Sequence, residues 1–399
     1  MTGVQVDSRR IRPGDLFVAV SGGEAFLADA RSRGAALTLV PDDAHAALAA
    51  IGRAVRARSN ARVVGITGSV GKTSTKDILA ALLRPALRTV AAEDGFNNEI
   101  GLPLTLCRIE PDTEAVVAEL AMRGPGQIRA LAETARPDLG VITSIAPVHL
   151  EMLGSLENIA RAKAELLEEL PAGAVAVLPA DTLVLEPFVP AGLDVRRFAP
   201  PETELRDGHT VVRFRGREVA FSFTARHQAT NAAAALETAA ALGVEPPEGV
   251  VEVEFSRLRS QETALPGGGL LLNDAWNANP VAMEAALANL RERAGGRRTV
   301  AILGEMAELG PDAPRFHEEI DTSGIDVVVG VGELARRYAP DEWVATAAEA
   351  AALVRELVRP GDAVLVKGSR SVGLEVVAEA LTAGISGGQA AAARPEDLA

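Results

Sequence analysis

From Arg62 onward, short runs of Val, Ile and Leu alternate with stretches whose apolar residues recur every three or four positions. The alternation predicts parallel strands joined by crossover helices, because a strand buried on both faces reads as a continuous apolar run and its helix as a stripe. The expected strands are "RVVGIT", "EAVVAEL", "LGVITS" and "AVAVL", with helices such as "KDILAALL" and "LENIARAKAELLEEL" between them. The texture then changes. "HTVVRFRGREVAFSF" alternates with period two around Arg215 and Gly216, which predicts a hairpin that ends the first α/β unit. A second series begins near Gly269, with "GLLLNDA", "TVAILGEM", "DVVVGVG", "EWVAT" and "DAVLVKG" as strands, and predicts a doubly wound domain of its own.

Pro246, Pro247 and the acidic stretch after them belong to the approach to the boundary between these units. Four regions follow: residues 1–60, a small piece with an Arg-rich start and an Ala-rich helical end; 61–255; 256–385; and 386–399, a tail of small residues, Pro and charge expected to be disordered.

Composition narrows the function classes. The 399 residues are 48% hydrophobic and 24% charged, as in an ordinary soluble protein of two or three domains. A formal net charge of −14 argues against a general binder of nucleic acid or anionic membrane. The single cysteine, Cys107, allows no intrachain disulfide and no cysteine-based zinc site. Gly, Pro or charge interrupts every apolar stretch before membrane-spanning length, and the N-terminus has no apolar signal region. A cytoplasmic monomer acting on small molecules, with neither nucleic-acid nor membrane partner, is expected.

The candidate chemistry starts at "VVGITGSVGKTSTKDILAALL". After the strand, backbone amides of Gly68, Ser69, Gly71 and Lys72 are expected to face one concavity, with the positive end of the following helix behind them. Lys72 would reach outer phosphates and the Thr73 hydroxyl would bind Mg²⁺, with Ser74 beside it. A standard phosphate loop has glycine where this chain has Ile66, so the motif is a variant. Glu119 and His149 fall at or just after the C-terminal ends of two predicted strands, the edge where open α/β sheets bind ligands. With Thr73 they make a plausible Mg²⁺ set.

Lys163 is placed differently. In "SLENIARAKAELLEEL", Ser155 suits an N-cap, and Leu156, Ile159, Ala160, Leu166, Leu167 and Leu170 form an apolar stripe, with Glu157, Arg161, Glu165 and Glu168 facing elsewhere. Lys163 falls inside the stripe. A buried ammonium is costly, so the side chain either snorkels outward or has a lowered pKa, a charged partner or a modification.

In these and other segments the chain resembles the Mur ligases: "DSRRIRPGDLFVAV", "GITGSVGKTSTK", "FNNEIGLPLTL", "AELAMRGPGQI", "SIAPVHLEMLGS", "ARAKAELL", "NDAWNANPVAM", "ILGEMAELG" and "LVKGSRSV" occur in order. The resemblance implies an α/β, three-domain architecture: a small N-terminal substrate domain, a central P-loop-type ATPase domain and a C-terminal Rossmann-like domain. It implies that ATP phosphorylates a substrate carboxylate and that an amine attacks the acyl phosphate, here joining D-alanyl-D-alanine to UDP-N-acetylmuramoyl-tripeptide. It assigns Lys72, Lys163, His149 and Arg259 to catalysis and Thr73, Glu119, His149 and Lys163 to two Mg²⁺ sites, with Lys163 carried as a carbamate. Asn98, Asn231, Arg259 and Asp274 match nucleotide-contacting positions. Asp7, Ser8, Arg9, Asn277, Asn279, Lys367 and Ser369 match the substrate side, although a surface turn explains Asp7, Ser8 and Arg9 equally well.

The resemblance has gaps. The first domain is short, "SGGEAFLADARSRGA" replaces an expected Asp-Gly-His region, Trp276 stands for the usual Tyr, and Ala282 where Ser is frequent. These departures leave open an enzyme that joins another carboxylate and amine. Thr73 disfavours a folylpolyglutamate synthase, and Glu119, His149 and Lys163 together disfavour a silent ATP-binding subunit.

Overall fold

The computed structural model describes residues 2–148 and 150–389. The chain divides into two compact units: residues 1–145, 156–224 and 228–254 form the first, and 146–155, 225–227 and 255–399 the second.

The first unit opens with β1 (Val4–Gln5), β2 (Leu16–Val18), α1 (Leu27–Ser32), β3 (Leu37–Leu39) and α2 (Ala44–Arg56), whose strands form a small parallel sheet. Next come β4 (Arg62–Thr67), α3 (Lys72–Leu83), β5 (Thr89–Ala91), α4 (Gly101–Leu106), β6 (Ala115–Glu119), α5 (Gln127–Ala135) and β7 (Leu139–Ile142). After α6 (Leu150–Leu153), which falls in the second unit, follow α7 (Leu156–Glu168), β8 (Val175–Pro179) and β9 (Asp194–Phe198). These six strands from β4 to β9 make one parallel sheet in the order β5-β6-β4-β7-β8-β9. The chain runs first to one side of β4 and then to the other, so a topological switch point lies at β4. The N-terminal piece is not set apart from this sheet, because α2 packs on α4 and α5.

The expected hairpin is present as β11 (His209–Phe214) and β12 (Arg217–Phe221), preceded by β10 (Thr203–Arg206). It does not end the unit, however. Helix α8 (Gln228–Ala241) follows and packs on α3, and β13 (Val250–Val251) then joins β12. The strands that the sequence pattern did not show, among them β5, β9, β10 and β13, are short or lie at sheet edges. An edge strand needs no continuous apolar run.

Helix α7 lies close on the central sheet. A Cβ on Gly65 of β4 or Gly140 of β7 would come within 2.9 Å of Leu166 and Leu170 respectively, so the missing side chains seat these leucines. The expected stripe needs two corrections. Leu156, at the first turn, is 39% exposed. Glu165, expected on the outer face, is 7% exposed and its carboxylate accepts the Gly126 and Arg129 amides at 2.7 and 3.0 Å. A carboxylate beside the unsatisfied amides of the α5 N-terminus is stable there, which apolar periodicity alone does not anticipate.

The second unit comprises β14 (Gln261–Leu265), β15 (Gly269–Asp274), α9 (Pro280–Ala294), β16 (Thr299–Gly304), α10 (Ala313–Glu318), β17 (Val327–Val331), β18 (Glu342–Val344), α11 (Ala347–Leu357), β19 (Ala363–Lys367) and α12 (Glu375–Gln389). Its sheet has the order β14-β15-β19-β16-β17-β18, with only β14 antiparallel. Neighbouring strand residues face opposite layers: Leu272, Ala301 and Leu365 pack with Met283 and Leu287 of α9, and Leu271, Val300 and Val364 with Val354 of α11 and Val377 of α12. Helix α12 extends into the tail expected to be disordered, and residues 390–399 lie outside the described residues. No described helix is long and apolar enough to cross a membrane.

His317 on α10 is buried, and its Nε2 accepts the Met306 amide at 2.9 Å. Nδ1 therefore carries the proton and donates it to the Ala313 carbonyl at 2.6 Å. Burial pushes the imidazole below its usual 6.5, against smaller opposing contributions from that carbonyl and from Glu305. The unfolded chain takes up a proton at this residue more readily, so the stability it contributes is present above pH 6.5 and lost as pH falls through the folded value. We expect His317→Leu, which orphans the Met306 amide, to cost about 1–3 kcal/mol at pH 7.5. Urea denaturation at pH 7.5 and 5.5 should show the gap from wild type narrowing in acid.

Candidate active site

Strand β4 delivers the chain into a turn that ends at Lys72, the first residue of α3. Gly68 and Gly71 have φ of 149° and 86°. A Cβ on Gly68 would sit 2.0 Å from Thr143 Oγ1, and one on Gly71 2.2 Å from Asn231 Oδ1, so both positions need glycine for space as well as for conformation. The loop is pinned by the end of β7. Ser69 N–H donates to the Ser144 carbonyl at 2.9 Å and Val70 N–H to Ser144 Oγ at 2.9 Å. Thr143 Oγ1 and Ser144 Oγ donate back to the Val70 carbonyl at 2.6 and 3.0 Å.

The cradle is thus narrower than the sequence suggested, because the Ser69 amide donates to Ser144. The first turn of α3 remains, where helical amides have no intrahelical acceptor and the dipole favours an anion. Lys72 Nζ donates to the carbonyls of Gly68 at 2.8 Å and Ser69 at 3.4 Å, holding the side chain across its own loop. Thr67 Oγ1 is buried with no hydrogen-bond partner among the described residues. A tight glycine turn that leads into the N-terminus of α3, with an orphaned hydroxyl on the strand residue before it, suits a phosphate group. Asn231 on α8 reaches this loop, accepting from Thr75 Oγ1 at 3.5 Å and donating to Gln228 Oε1 at 2.7 Å.

Glu119 ends β6 in register with Ile66 of β4, so the parallel pairing places it at the edge that carries the loop. It is 4% exposed and accepts from Asn97 Nδ2 at 2.9 Å. Thr73 and Ser74 lie buried in the first turn of α3. Mg²⁺ takes one or two protein oxygens together with phosphate and water, and Glu119 and Thr73 are oxygen donors of that kind. Among the described residues no three His, Cys, Asp or Glu side chains form a metal-holding group. His149 lies outside the described residues.

Lys163 does not snorkel. It is 2% exposed within α7, and burial first, then the charge of Lys72, pushes its ammonium well below the usual 10.5. Burial pushes the Cys107 thiol up to about 12, which disfavours the nucleophilic thiolate.

In the second unit, Asp274 and Lys367 end neighbouring strands in register. Lys367 is 1% exposed, and its Nζ donates to Asp274 Oδ2 at 2.5 Å and to the Asn277 carbonyl at 3.1 Å. Asp274 Oδ1 accepts the Ser260 amide at 3.2 Å, next to Arg259. Ser369 accepts the Ala307 amide at 2.8 Å and lies 3.5 Å from the Ala278 carbonyl. One network therefore joins Asp274, which the resemblance places on the nucleotide, to Asn277 and Lys367, which it places on the substrate side.

Other predicted residues have local duties. Asp7 accepts from Arg9 N and Nε at 3.0 and 2.9 Å, and that contact holds its carboxyl at about 2, while Ser8 is buried beside them. Asn98 Oδ1 accepts the amides of Ile100 and Gly101 at the start of α4. Asn279 is the N-cap of α9, accepting the Ala282 amide at 2.9 Å with Pro280 in the first turn. Sequence reasoning missed Thr143, Ser144 and Asn97. The first two lie within "LGVITS" and Asn97 within "FNNEIGLPLTL", but only tertiary contact shows what they hold.

We expect Gly68→Ala to weaken binding of a non-hydrolysable ATP analogue at least about tenfold, since the new methyl meets Thr143 and the Ser144 amide at 3.1 Å. Calorimetric titration of the variant and a parallel melting curve separate this loss from unfolding.

Residues 66–239 match the Mur ligase middle domain, and residues 257–370 match the Mur ligase, glutamate ligase domain. The UDP-N-acetylmuramoyl-tripeptide--D-alanyl-D-alanine ligase of Mycobacterium tuberculosis is 35% identical over 95% of this chain and 92% of its own length. The Escherichia coli protein of that name is 31% identical over 95% and 93%. The MurF ligase from Thermotoga maritima in complex with ADP superposes with a TM-score of 0.84 at 28% identity, covering 96% of this chain and 98% of that one. MurF from Acinetobacter baumannii gives 0.82 at 25% identity, covering 95% and 93%. With both α/β units matched and relatives alike along nearly the whole chain, the protein belongs to the Mur ligase family and is an ATP-dependent ligase that forms a carbon–nitrogen bond.

Proposed function

We propose that the chain joins D-alanyl-D-alanine to UDP-N-acetylmuramoyl-tripeptide in the cytoplasmic synthesis of peptidoglycan precursors. The observation that carries the chemistry is the glycine loop with Lys72 folded across it, beside the buried carboxylate of Glu119. The relatives' names support the choice of substrates.

In this reading Lys72 leaves the Gly68 and Ser69 carbonyls to meet the γ-phosphate. The tripeptide carboxylate attacks that phosphorus and ADP departs, giving an acyl phosphate. The dipeptide amine then adds to the acyl carbon and loses a proton, and inorganic phosphate leaves as the amide forms. Thr73 and Glu119, joined by His149, would hold Mg²⁺, which when bound supplies positive charge to the phosphate oxygens. Arg259 contacts phosphate and Asp274 the ribose. Asn277, Lys367 and Ser369 serve the amine side, and Asp7, Ser8 and Arg9 the nucleotide-sugar side.

Phosphate release assayed with this substrate pair, against simpler acids and other amines, tests the assignment. We expect turnover with the named pair and its abolition in Lys72→Ala with an unchanged circular dichroism spectrum. Turnover only with another pair overturns the substrates, and near-normal turnover in Lys72→Ala overturns the role of the loop.

Lys163 works as a carbamate in this proposal. Burial disfavours its ammonium, and the neutral amine adds to CO₂ with loss of a proton, which replaces an unfavourable cation by an anion with two metal-binding oxygens. Lys163→Ala should cost activity far more than stability, and Lys163→Arg should fail as well because a guanidinium stays cationic. Carbon-13 NMR after bicarbonate labelling should show a carbamate signal that Lys163→Ala lacks. An unmodified Lys163 in the active enzyme refutes it.

A further inference from the structure

Arg259 sits in a strained turn. Its neighbours Leu258 and Ser260 both adopt left-handed backbone, with φ of 58° and 46°. Side-chain-bearing residues keep that conformation only where their surroundings over-determine it. Here the turn is tied on several sides. Leu258 N–H donates to Gln261 Oε1 at 3.0 Å, Trp276 N–H donates to the Leu258 carbonyl at 3.2 Å, and Ser260 N–H donates to Asp274 Oδ1 at 3.2 Å. Ser260 Oγ lies 3.4 Å from His227 Nε2.

These ties fix the backbone on which Arg259 stands and leave its guanidinium to another partner. Arg259 Nε is buried and has no hydrogen-bond partner among the described residues. Its guanidinium carbon lies 5.5 Å from the ring centroid of Trp276, within the range of a cation–π contact. Arg370 approaches the same ring at 5.5 Å, but its charge is offset by an ion pair with Glu375 at 2.7 Å.

We propose that Trp276 is a positioning residue whose indole holds the Arg259 guanidinium by cation–π attraction, oriented to receive phosphate. The proposal rests on the reading of Arg259 given above. The chemistry favours an aromatic face for this task. A carboxylate partner would neutralise the guanidinium and occupy its N–H groups, whereas a ring attracts the charge and leaves the in-plane donors for an anion. The Trp276 amide bonded to Leu258 couples the ring to the strained turn, so indole and guanidinium are set by one piece of backbone.

The chain has two tryptophans, Trp276 and Trp343. In a Trp343→Phe background, fluorotryptophans with one to four fluorines can be incorporated at position 276 alone. Fluorine drains the negative face of the ring and changes its shape little, so a packing role does not respond in proportion. We expect affinity for a non-hydrolysable ATP analogue, read by calorimetry, to fall stepwise with each fluorine and by about tenfold across the series. KM for ATP should rise in step, and the melting temperature should hold. Trp276→Phe should fall between wild type and Trp276→Leu. Affinity that stays flat across the fluorinated series, while Arg259→Ala binds weakly, overturns the role of Trp276 and leaves that of Arg259. Wild-type affinity in Arg259→Ala overturns the reading of Arg259 on which the proposal rests.

Discussion

Parallel pairing is the constraint on which both candidate sites depend. In each unit the inner strands are buried on both faces, so a polar side chain finds room only where a strand leaves its sheet. Register then decides which strand ends meet: Ile66 lies opposite Glu119, Thr67 opposite Ile142, and Asp274 opposite Lys367. Residues far apart in sequence thus share one C-terminal edge, as ligand sites in open α/β sheets do.

At the edge of the first unit the glycine loop is held by the protein's own contacts. Thr143 and Ser144 grip the Val70 segment from the next strand, and the glycines admit those contacts at distances that a methyl group forbids. A loop fixed in this way loses little conformational freedom on binding, which is the usual origin of preorganised electrostatics. Lys72 occupies carbonyls of the same loop, so in the proposed mechanism meeting a phosphate would exchange neutral acceptors for an anionic one.

Buried lysines are handled in different ways. Lys367 has a carboxylate partner in Asp274, which offsets the cost of removing both charges from water. Lys163 has its ammonium form opposed both by burial and by the charge of Lys72. The first arrangement ties the ends of two neighbouring strands together. The second disfavours the ammonium and so favours the neutral amine, which is the reactive form. Arg259 shows a third arrangement, a cation set against an aromatic face, with its buried Nε unpaired among the described residues.

Sequence alone fixed the inner strands of both units, since β4, β6, β7, β8, β15, β16, β17 and β19 are buried on both faces and only uninterrupted apolar runs satisfy that. It also showed the glycine turn at Lys72 and the anomaly of Lys163, because each breaks a local pattern. What it left to the tertiary structure depends on partners distant in the chain. Glu165 reads as an outer-face residue until α5 brings its first amides to the carboxylate. Ser69 reads as a phosphate donor until β7 brings Ser144 to its amide. Asn279 reads as a binding residue, yet caps a helix, and Lys367 and Asp274 read as separate contacts, yet form an ion pair. Apolar periodicity reports burial, which every neighbour of an element shares; a hydrogen bond is made with one particular group, and only the fold chooses which.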